Sequence, residues 1–536
     1  MKVLVPEKIA SEALDTLRQK GFSVDEVRGK SAAELKEIIC DYDALIVRSA
    51  TQVDKDLIEE AHKLKIVGRA GTGVDNIDIP ACTAKGIIVV NTPDANTNAA
   101  AELAVGLAYA VFRNIGEANM KSRRGDFRRG LMAGNELEGR VAGLIGFGRI
   151  AQNVAKKLKG VGMKILAYDP FMTRQRVEAF DVCYCETLEE LLPQVDLISI
   201  HTPKTRETTN MIAAPQFALC KTGVRLVNAA RGGLVNEADL YDALVSGKVK
   251  AAAMDVLAEE PNFNLDPTEQ KYQNPLLTLD NFIYTPHLGA STAEASARVG
   301  FGVVDLIARG LRGEMVPAVN MPPISGSAEE MRPYISLAEK LGSIYFQAEQ
   351  EAVSRIDIIY GGDLALQETG LLTLSVLKGF LAPISENRVN FVNVRQNVQE
   401  MGVQVNESSQ KHCGRFQNLI KVCYTQTSGK VLSVSGTILA TDIQMLVEFF
   451  GYEVDFPLKN HILAVQNENV PGVIGRVGTL LGSRNINIAN LNWAGKEGKP
   501  RAQAFIAVDT EVSDEDIAAL ANVEGVLRIS RLEFDN

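Results

Sequence analysis

Apolar residues in the first ninety positions fall into two alternating patterns. Val3-Leu-Val5, Ala44-Leu-Ile-Val47, Lys65-Ile-Val67 and Ile87-Ile-Val-Val90 are short, mostly continuous apolar runs, as expected for strands covered on both faces. Between them, residues 9–19 and 32–39 repeat apolar positions at i, i+3 and i+4, which predicts amphipathic helices. Strand and helix in alternation predict a parallel sheet with helices packed over it. A second series of the same kind runs from about residue 99 to residue 286, with strands predicted at 140–145, 164–168, 196–200, 225–228, 251–256 and 282–285. The stretches Tyr42-Asp-Ala-Leu-Ile-Val-Arg48 and Val195-Asp-Leu-Ile-Ser-Ile-His201 resemble each other, which points to two units built alike.

After His287 a helical stretch over 293–311 returns the chain toward the first unit. It is followed by Val316-Pro-Ala-Val-Asn-Met-Pro322-Pro323, a proline-rich segment that reads as a linker. Beyond it the pattern changes to longer strands with hairpin signals, such as Lys421-Val-Cys-Tyr followed by Ser428-Gly429. From about residue 460 the order is strand, helix, strand, strand, helix, strand, a ferredoxin-like βαββαβ pattern. A chain of 536 residues exceeds what one hydrophobic core supports, so three or four domains are expected.

Composition narrows the class. Apolar residues make up 46% and charged residues 23%, an ordinary globular balance. There are 66 acidic against 56 basic residues, a net charge of −10, which argues against a broad nucleic-acid-binding face. Seven cysteines, an odd number without a regular framework, favour reduced thiols in a cytoplasmic setting. The longest weakly polar stretch, residues 99–112, carries Glu102 and falls short of the roughly 20 apolar residues of a membrane span. The start breaks at Pro6-Glu7-Lys8 before an export signal forms. No membrane partner is expected.

The strongest local motif is Val141-Ala-Gly-Leu-Ile-Gly146-Phe-Gly148-Arg-Ile-Ala151. It reads G-x-G-x-x-A, leaves a predicted strand and opens a predicted helix. Gly146 permits the tight turn, Gly148 lets backbone approach a pyrophosphate, and the small Ala151 lets helix and strand pack closely. The helix start offers free N–H groups to the phosphates. The next strand ends at Asp169, where a carboxylate accepts hydrogen bonds from ribose hydroxyls and repels a 2′-phosphate, favouring NAD over NADP. Arg174 nearby is the one residue that pulls the other way.

A second set comprises Arg231 in Asn228-Ala-Ala-Arg231-Gly-Gly, Glu260 in Asp255-Val-Leu-Ala-Glu-Glu260-Pro261, and His287 in Thr285-Pro-His287-Leu-Gly-Ala-Ser-Thr. All three follow predicted strand ends, where open α/β sheets place their ligands. Singly, each reads as an ordinary capping, surface or packing residue. Together they suit interconversion of a 2-hydroxy and a 2-keto acid. A guanidinium clamps the carboxylate and polarises the carbonyl, an imidazole passes the hydroxyl proton, and a carboxylate fixes the imidazole tautomer. His62, His201, His412 and His461 lack a matching partner in the sequence, and Cys183-x-Cys185 lacks a second half-site for zinc.

With these residues in view, the chain resembles the D-isomer-specific 2-hydroxyacid dehydrogenases, and within them the long form that ends in a regulatory tail. The likeness runs along essentially the whole chain. It includes Val47-Arg48-Ser49-Ala50-Thr51, the run Gly68-Arg69-Ala70-Gly71-Thr72-Gly73-Val74-Asp75-Asn76-Ile77-Asp78, Asn96-Thr97, the glycine loop, and His287-Leu-Gly-Ala-Ser-Thr. The resemblance implies an α/β fold of two Rossmann-like doubly wound parallel-sheet domains, plus α+β regulatory domains of which the last is ferredoxin-like (ACT). The implied boundaries are 1–97 with 287–316 for a discontinuous, flavodoxin-like substrate-binding domain, 98–286 for the NAD-binding domain, 317–455 for an intervening domain, and 456–536 for the ACT domain.

The same resemblance implies Arg231 as carboxylate and carbonyl ligand, His287 as acid and base, and Glu260 as its partner. It implies NAD contacts at Thr72, Gly146, Gly148, Arg149, Ile150, Asp169, Thr202, Ala229, Ala230, Arg231, Asp255, His287, Gly289 and Ala290. The substrate it implies is a small phosphorylated 2-hydroxy acid held by Arg48, Ser49, Arg69, Gly71, Arg231 and His287. The cluster Arg123-Arg124-Gly-Asp-Phe-Arg128-Arg129 offers further cations. Asn467-Glu-Asn469-Val-Pro471-Gly472 and Ser483-Arg-Asn-Ile-Asn487 resemble ACT segments, which implies serine as an effector at Asn469 and Asn487. Asn467 stands where such domains often have histidine. A homodimer or homotetramer is implied. The alternatives are a glyoxylate or hydroxypyruvate reductase, which shares the three central residues, and a corepressor-like protein that uses the dinucleotide only as a ligand.

Overall fold

The computed structural model spans residues 1–536 and describes all of them except 264, 324–327, 386–388, 441, 496–499 and 535–536. The first unit is a five-stranded sheet of β1 (Lys2–Val5), β2 (Ser23–Glu26), β3 (Ala44–Val47), β4 (Ile66–Arg69) and β5 (Ile88–Asn91). Its order is β2-β1-β3-β4-β5, and every pair is parallel. All four residues of β3 are buried. The edge strand β2, Ser-Val-Asp-Glu, is half-exposed; its polar sequence carries no apolar run, and only pairing to β1 makes it a strand. The helix Ala293–Leu311 packs on this sheet through Val299, Val303, Ile307 and Leu311. Gly68 makes room for it, since a Cβ there would stand 2.6 Å from Val303.

The second unit contains β6 (Val141–Ile145), β7 (Lys164–Tyr168), β8 (Cys183–Tyr184), β9 (Leu197–Ile200), β10 (Val224–Asn228), β11 (Val249–Met254) and β12 (Phe282–Tyr284). The seven strands lie in the order β12-β11-β10-β9-β6-β7-β8, all parallel. The order reverses between β6 and β9, and at such a switch point the flanking loops part and leave a crevice at the carboxyl ends of the strands. The apolar run predicted as a strand through residue 256 ends at Met254, because Asp255 turns the chain into the crevice.

The remaining residues form two further sheets. A six-stranded mixed sheet holds β13 (Val353–Gly362), β14 (Gln404–Gln410), β15 (Asn418–Gln426), β16 (Val431–Leu439), β17 (Ile443–Phe449) and β18 (Tyr452–Pro457), in the order β14-β13-β15-β16-β17-β18. A four-stranded sheet holds β19 (His461–Glu468), β20 (Ile488–Gly495), β21 (Arg501–Val508) and β22 (Val526–Glu533), in the order β20-β21-β19-β22. Every pair in it is antiparallel. With helices Val473–Ser483 and Asp514–Ala521 it makes the βαββαβ pattern. One apolar cluster runs through both sheets, joining Phe449 and Phe456 to Phe505, Ala507 and Leu532. Among the described residues no helix is long and apolar enough to cross a membrane.

Helices Ala328–Ala348 and Gly370–Leu381 cover the six-stranded sheet and cross backbone to backbone. A Cβ on Gly342 would stand 2.0 Å from the Val376 carbonyl oxygen, and one on Gly379 would stand 1.9 Å from that of Glu339. A side chain at either site forces the helices apart. We therefore expect Gly379→Ala to destabilise this region by about 1–3 kcal/mol through overpacking, read as a lower urea midpoint, whereas Gly402→Ala at an open turn bears only on local backbone preference.

Candidate active site

Three strand ends in the second sheet are laced together by backbone hydrogen bonds. Asp255 N–H donates to the Asn228 carbonyl at 2.9 Å, and His287 N–H donates to the Asp255 carbonyl at 2.9 Å. The loops leaving β10, β11 and β12, which carry Arg231, Glu260 and His287, are thereby held side by side. The side chain of Asn228 is fully buried. It accepts from Ala230 N–H at 3.1 Å and donates to the Arg231 carbonyl at 2.9 Å, which fixes the turn that presents Arg231. Gly232 then passes directly over the next loop: a Cβ there would stand 1.8 Å from the Leu257 carbonyl oxygen.

His287 Nδ1 faces the Glu260 carboxylate, at 3.0 Å from Oε1 and 3.2 Å from Oε2. A carboxylate can only accept, so Nδ1 carries the proton and Nε2 keeps its lone pair. The ring is 42% exposed and open to a ligand. His287 has φ +55°, a left-handed conformation uncommon for a non-glycine residue and concentrated at functional sites. What holds it there is Asp255, which has no exposed surface. Its carboxylate accepts from Leu288 N–H at 2.8 Å, from Gly289 N–H at 2.9 Å and from the Thr285 hydroxyl. Burial pushes its carboxyl pKa up, against the pull of those three donors.

Arg231 reaches across to the first unit, where Nε donates to Asp75 Oδ2 at 3.2 Å. It lies on Gly73, whose Cβ would collide with Nη2 at 2.2 Å. Arg69 likewise lies over Gly71, which has φ +144° and whose Cβ would meet Nη1 at 1.6 Å. The glycines of this loop thus admit two guanidinium groups to one side of the cleft. Burial, then the charges of Arg231 and Arg48, lower the Arg69 pKa. Its Nε is buried and has no partner among the described residues. An anion is what such a set lacks.

The glycine loop has the shape of a dinucleotide cradle. Gly146, at φ +85°, lies so close to the end of β9 that a Cβ would stand 2.8 Å from the His201 carbonyl and 2.9 Å from Thr202 Cγ2. Gly148 precedes the helix Arg149–Gly160 without a side-chain cap, and nothing lies within 4 Å of its Cβ position. Uncapped N–H groups beneath open space fit a phosphate. Ala151 is fully buried, as close helix–strand packing requires. Asp169 follows β7 and accepts from Phe147 N–H at 2.8 Å, tying the carboxylate to the loop. Ile150 packs on the helix core, and Ala229, Ala230, Gly289 and Ala290 line the turns already described. On the opposite wall the Thr72 hydroxyl donates to Asn96 Oδ1 at 2.6 Å, and Arg149 pairs with Asp94.

Known proteins resemble the chain along its whole length. Residues 105–289 match the model of the D-isomer specific 2-hydroxyacid dehydrogenase NAD binding domain. Residues 330–450 match the D-3-phosphoglycerate dehydrogenase intervening domain. D-3-phosphoglycerate dehydrogenase of Archaeoglobus fulgidus is 40% identical over 538 residues, covering 100% of both chains. That of Methanocaldococcus jannaschii is 40% identical, covering 98% of each. The chain belongs to the D-3-phosphoglycerate dehydrogenases of the D-isomer-specific 2-hydroxyacid dehydrogenase family. It is an NAD-dependent oxidoreductase. A solved glyoxylate reductase from Paecilomyes thermophila is 25% identical with a TM-score of 0.53, over 60% of this chain and 98% of its own. The likeness to that reductase is confined to part of the chain, whereas the two dehydrogenase relatives match it from end to end.

The structure shows surroundings of several of these residues that the sequence does not reveal. Asp255, which the resemblance implies as an NAD contact, is buried beneath the His287 loop and hydrogen-bonds its backbone. His461, set aside for want of a partner, pairs through Nδ1 with Glu533 at 2.5 Å. Arg128 of the basic cluster is tied to Asp126 at 2.7 Å. Asn469 N–H donates to the Pro500 carbonyl and Asn487 Nδ2 to Asp509. Neither lines the open groove along the neighbouring helix, formed by Gly472, Gly475, Arg476, Thr479, Leu480 and Ser483. Asn467 is almost fully buried. The sequence carries no separate signal for Asn228, Asp75 and Thr285. All three stand inside or beside the motifs, but their roles depend on hydrogen bonds across strands.

His201 closes the floor of the crevice beside Gly146, its Nε2 at 2.8 Å from Ser199 Oγ. Burial pushes the ring pKa down to about 4. The folded state binds this proton less tightly than the unfolded chain, so the contribution is full above pH 6.5 and is lost as pH falls toward 4. We expect stability to drop by as much as about 3 kcal/mol over that interval from this group. Denaturant titrations from pH 7 to 4.5 should show a shallower decline for His201→Gln than for the wild type.

Proposed function

We propose that the protein oxidises D-3-phosphoglycerate to 3-phosphohydroxypyruvate with NAD, the first step of L-serine biosynthesis, at the cleft between the two parallel-sheet units. The reading rests on the His287–Glu260 pair and Arg231 lying on loops that leave strand ends of one sheet, in a chain 40% identical over its whole length to the Archaeoglobus fulgidus enzyme. Arg231 holds the substrate carboxylate and polarises the C2 oxygen. His287 Nε2 takes the C2 hydroxyl proton, and Glu260 stabilises the imidazolium that results. When bound, NAD would supply the hydride-accepting chemistry. Gly146, Gly148, Arg149 and Ile150 would hold its pyrophosphate, and Asp169 its ribose. Thr72, Thr202, Ala229, Ala230, Gly289 and Ala290 enclose the rest. Arg48, Ser49, Arg69 and Gly71 receive the substrate phosphate, and the partnerless Arg69 Nε supports that assignment.

The enzyme works as a homo-oligomer of two or four chains in the cytoplasm. Exposed Ile115, Phe127 and Leu131, grouped on one segment, support an interface there. Serine acts as an effector at Asn469 and Asn487. The tail beyond the catalytic units favours this enzyme over a glyoxylate or hydroxypyruvate reductase.

Replacement of His287 by alanine should leave NADH binding intact and lower turnover by roughly 10²–10⁴-fold; near-normal rates would remove it from proton transfer. Two charge-assisted arginine contacts to a phosphate make kcat/KM for D-3-phosphoglycerate exceed that for D-glycerate by about 10²–10⁴-fold. Measuring both substrates, with and without serine, tests the assignment; equal values would overturn it.

A further inference from the structure

The loop that follows β3 carries Arg48 and Ser49, and its backbone is gripped from two sides. Glu7, two residues beyond β1, offers its carboxylate to three backbone N–H groups of that loop. Oε1 accepts from Arg48 N–H at 2.9 Å and Thr51 N–H at 3.0 Å, and Oε2 accepts from Ala50 N–H at 3.2 Å. From the other side the buried Asn76 donates through Nδ2 to the Arg48 carbonyl at 2.9 Å and the Thr51 carbonyl at 2.6 Å. The N–H groups point to one side chain and the carbonyls to another. These two side chains come from loops at the ends of β1 and β4, the strands that flank β3 in the sheet. The clamp sits where the strand order of the first sheet reverses.

We infer that Glu7 is a positioning residue for substrate phosphate recognition: its carboxylate sets the backbone of residues 48–51, so that Arg48 and Ser49 meet the phosphate without reorganising. This rests on the reading of residues 48–51 as the phosphate loop. Preorganised contacts lose much of their worth when the supporting group is removed, because ordering then occurs on binding.

At Glu7 a clamp and a simple charge effect have opposite signs. Glu7 is a negative charge close to Arg69. If it acted only as a charge, Glu7→Gln would make the cleft more cationic and tighten a phosphorylated substrate. As a clamp, Glu7→Gln keeps one acceptor oxygen but turns an NH2 group toward Ala50 N–H, and the loop loosens.

The test compares Glu7→Gln, Asn76→Ala and Arg48→Gln in the full-length holoenzyme, with steady-state KM and kcat for D-3-phosphoglycerate and KM for NAD. Glu7→Gln and Asn76→Ala should each raise KM for D-3-phosphoglycerate about tenfold, with kcat and KM for NAD changed less than about threefold. Arg48→Gln should raise the same KM. An unchanged or lowered KM in Glu7→Gln while Arg48→Gln is impaired would overturn the clamp and leave the phosphate-loop reading standing. A normal KM in Arg48→Gln would overturn that reading and the clamp with it. Hydrogen exchange of residues 48–51 separates loosening from global unfolding: faster exchange confined to that loop is expected, and unchanged exchange there refutes the clamp. If Glu7→Gln fails to fold, Asn76→Ala carries the same test from the opposite side.

Discussion

A carboxylate buried without a counter-cation is costly unless hydrogen bonds replace its water. Asp255 meets that condition with two backbone N–H groups and one hydroxyl, all from the segment that begins at Thr285. Because the side chain leaves the end of β11 and its partners lie beyond β12, the arrangement fastens one strand end to the next. The unusual backbone of His287 is sustained by that fastening, and the direction of the imidazole toward Glu260 follows from it. The placing of the imidazole therefore depends on a buried carboxylate one strand away.

The same economy recurs on the other wall of the cleft. Gly71 and Gly73 are small because guanidinium groups occupy the volume that side chains would fill. Arg231 spans both units through Asp75, so its guanidinium is itself held by the neighbouring unit. A cleft lined in this way gathers positive charge in a molecule whose net charge is −10, and the local field rather than the overall charge selects the ligand.

Much of this was legible in the chain. Continuous apolar runs located β1, β3, β4 and β5, since strands buried on both faces must be apolar throughout. The helix predicted over 293–311 coincides with Ala293–Leu311, because its apolar spacing is regular across five turns. Edge strands were harder to see. β2 and the two-residue β8 are partly solvated and so need no apolar pattern. Arg231, Glu260 and His287 were visible as residue types at strand ends, whereas their supports were not. Asn228, Asp75, Glu7 and Thr285 act through partners far away in sequence or through backbone atoms, and single-chain patterns carry no record of such pairings. His461 illustrates the same blindness, for its partner Glu533 lies 72 residues away.

The apolar cluster common to the six-stranded and four-stranded sheets has an engineering consequence. Phe505, Ala507 and Leu532 share their packing with Phe449 and Phe456, so the last eighty residues are not a detachable cassette. Cutting the chain ahead of β19 would bare aromatic rings on the stump and on the fragment alike. Grafting this tail onto another enzyme would mean bringing its neighbouring sheet along, and the two would have to be exchanged as a single part.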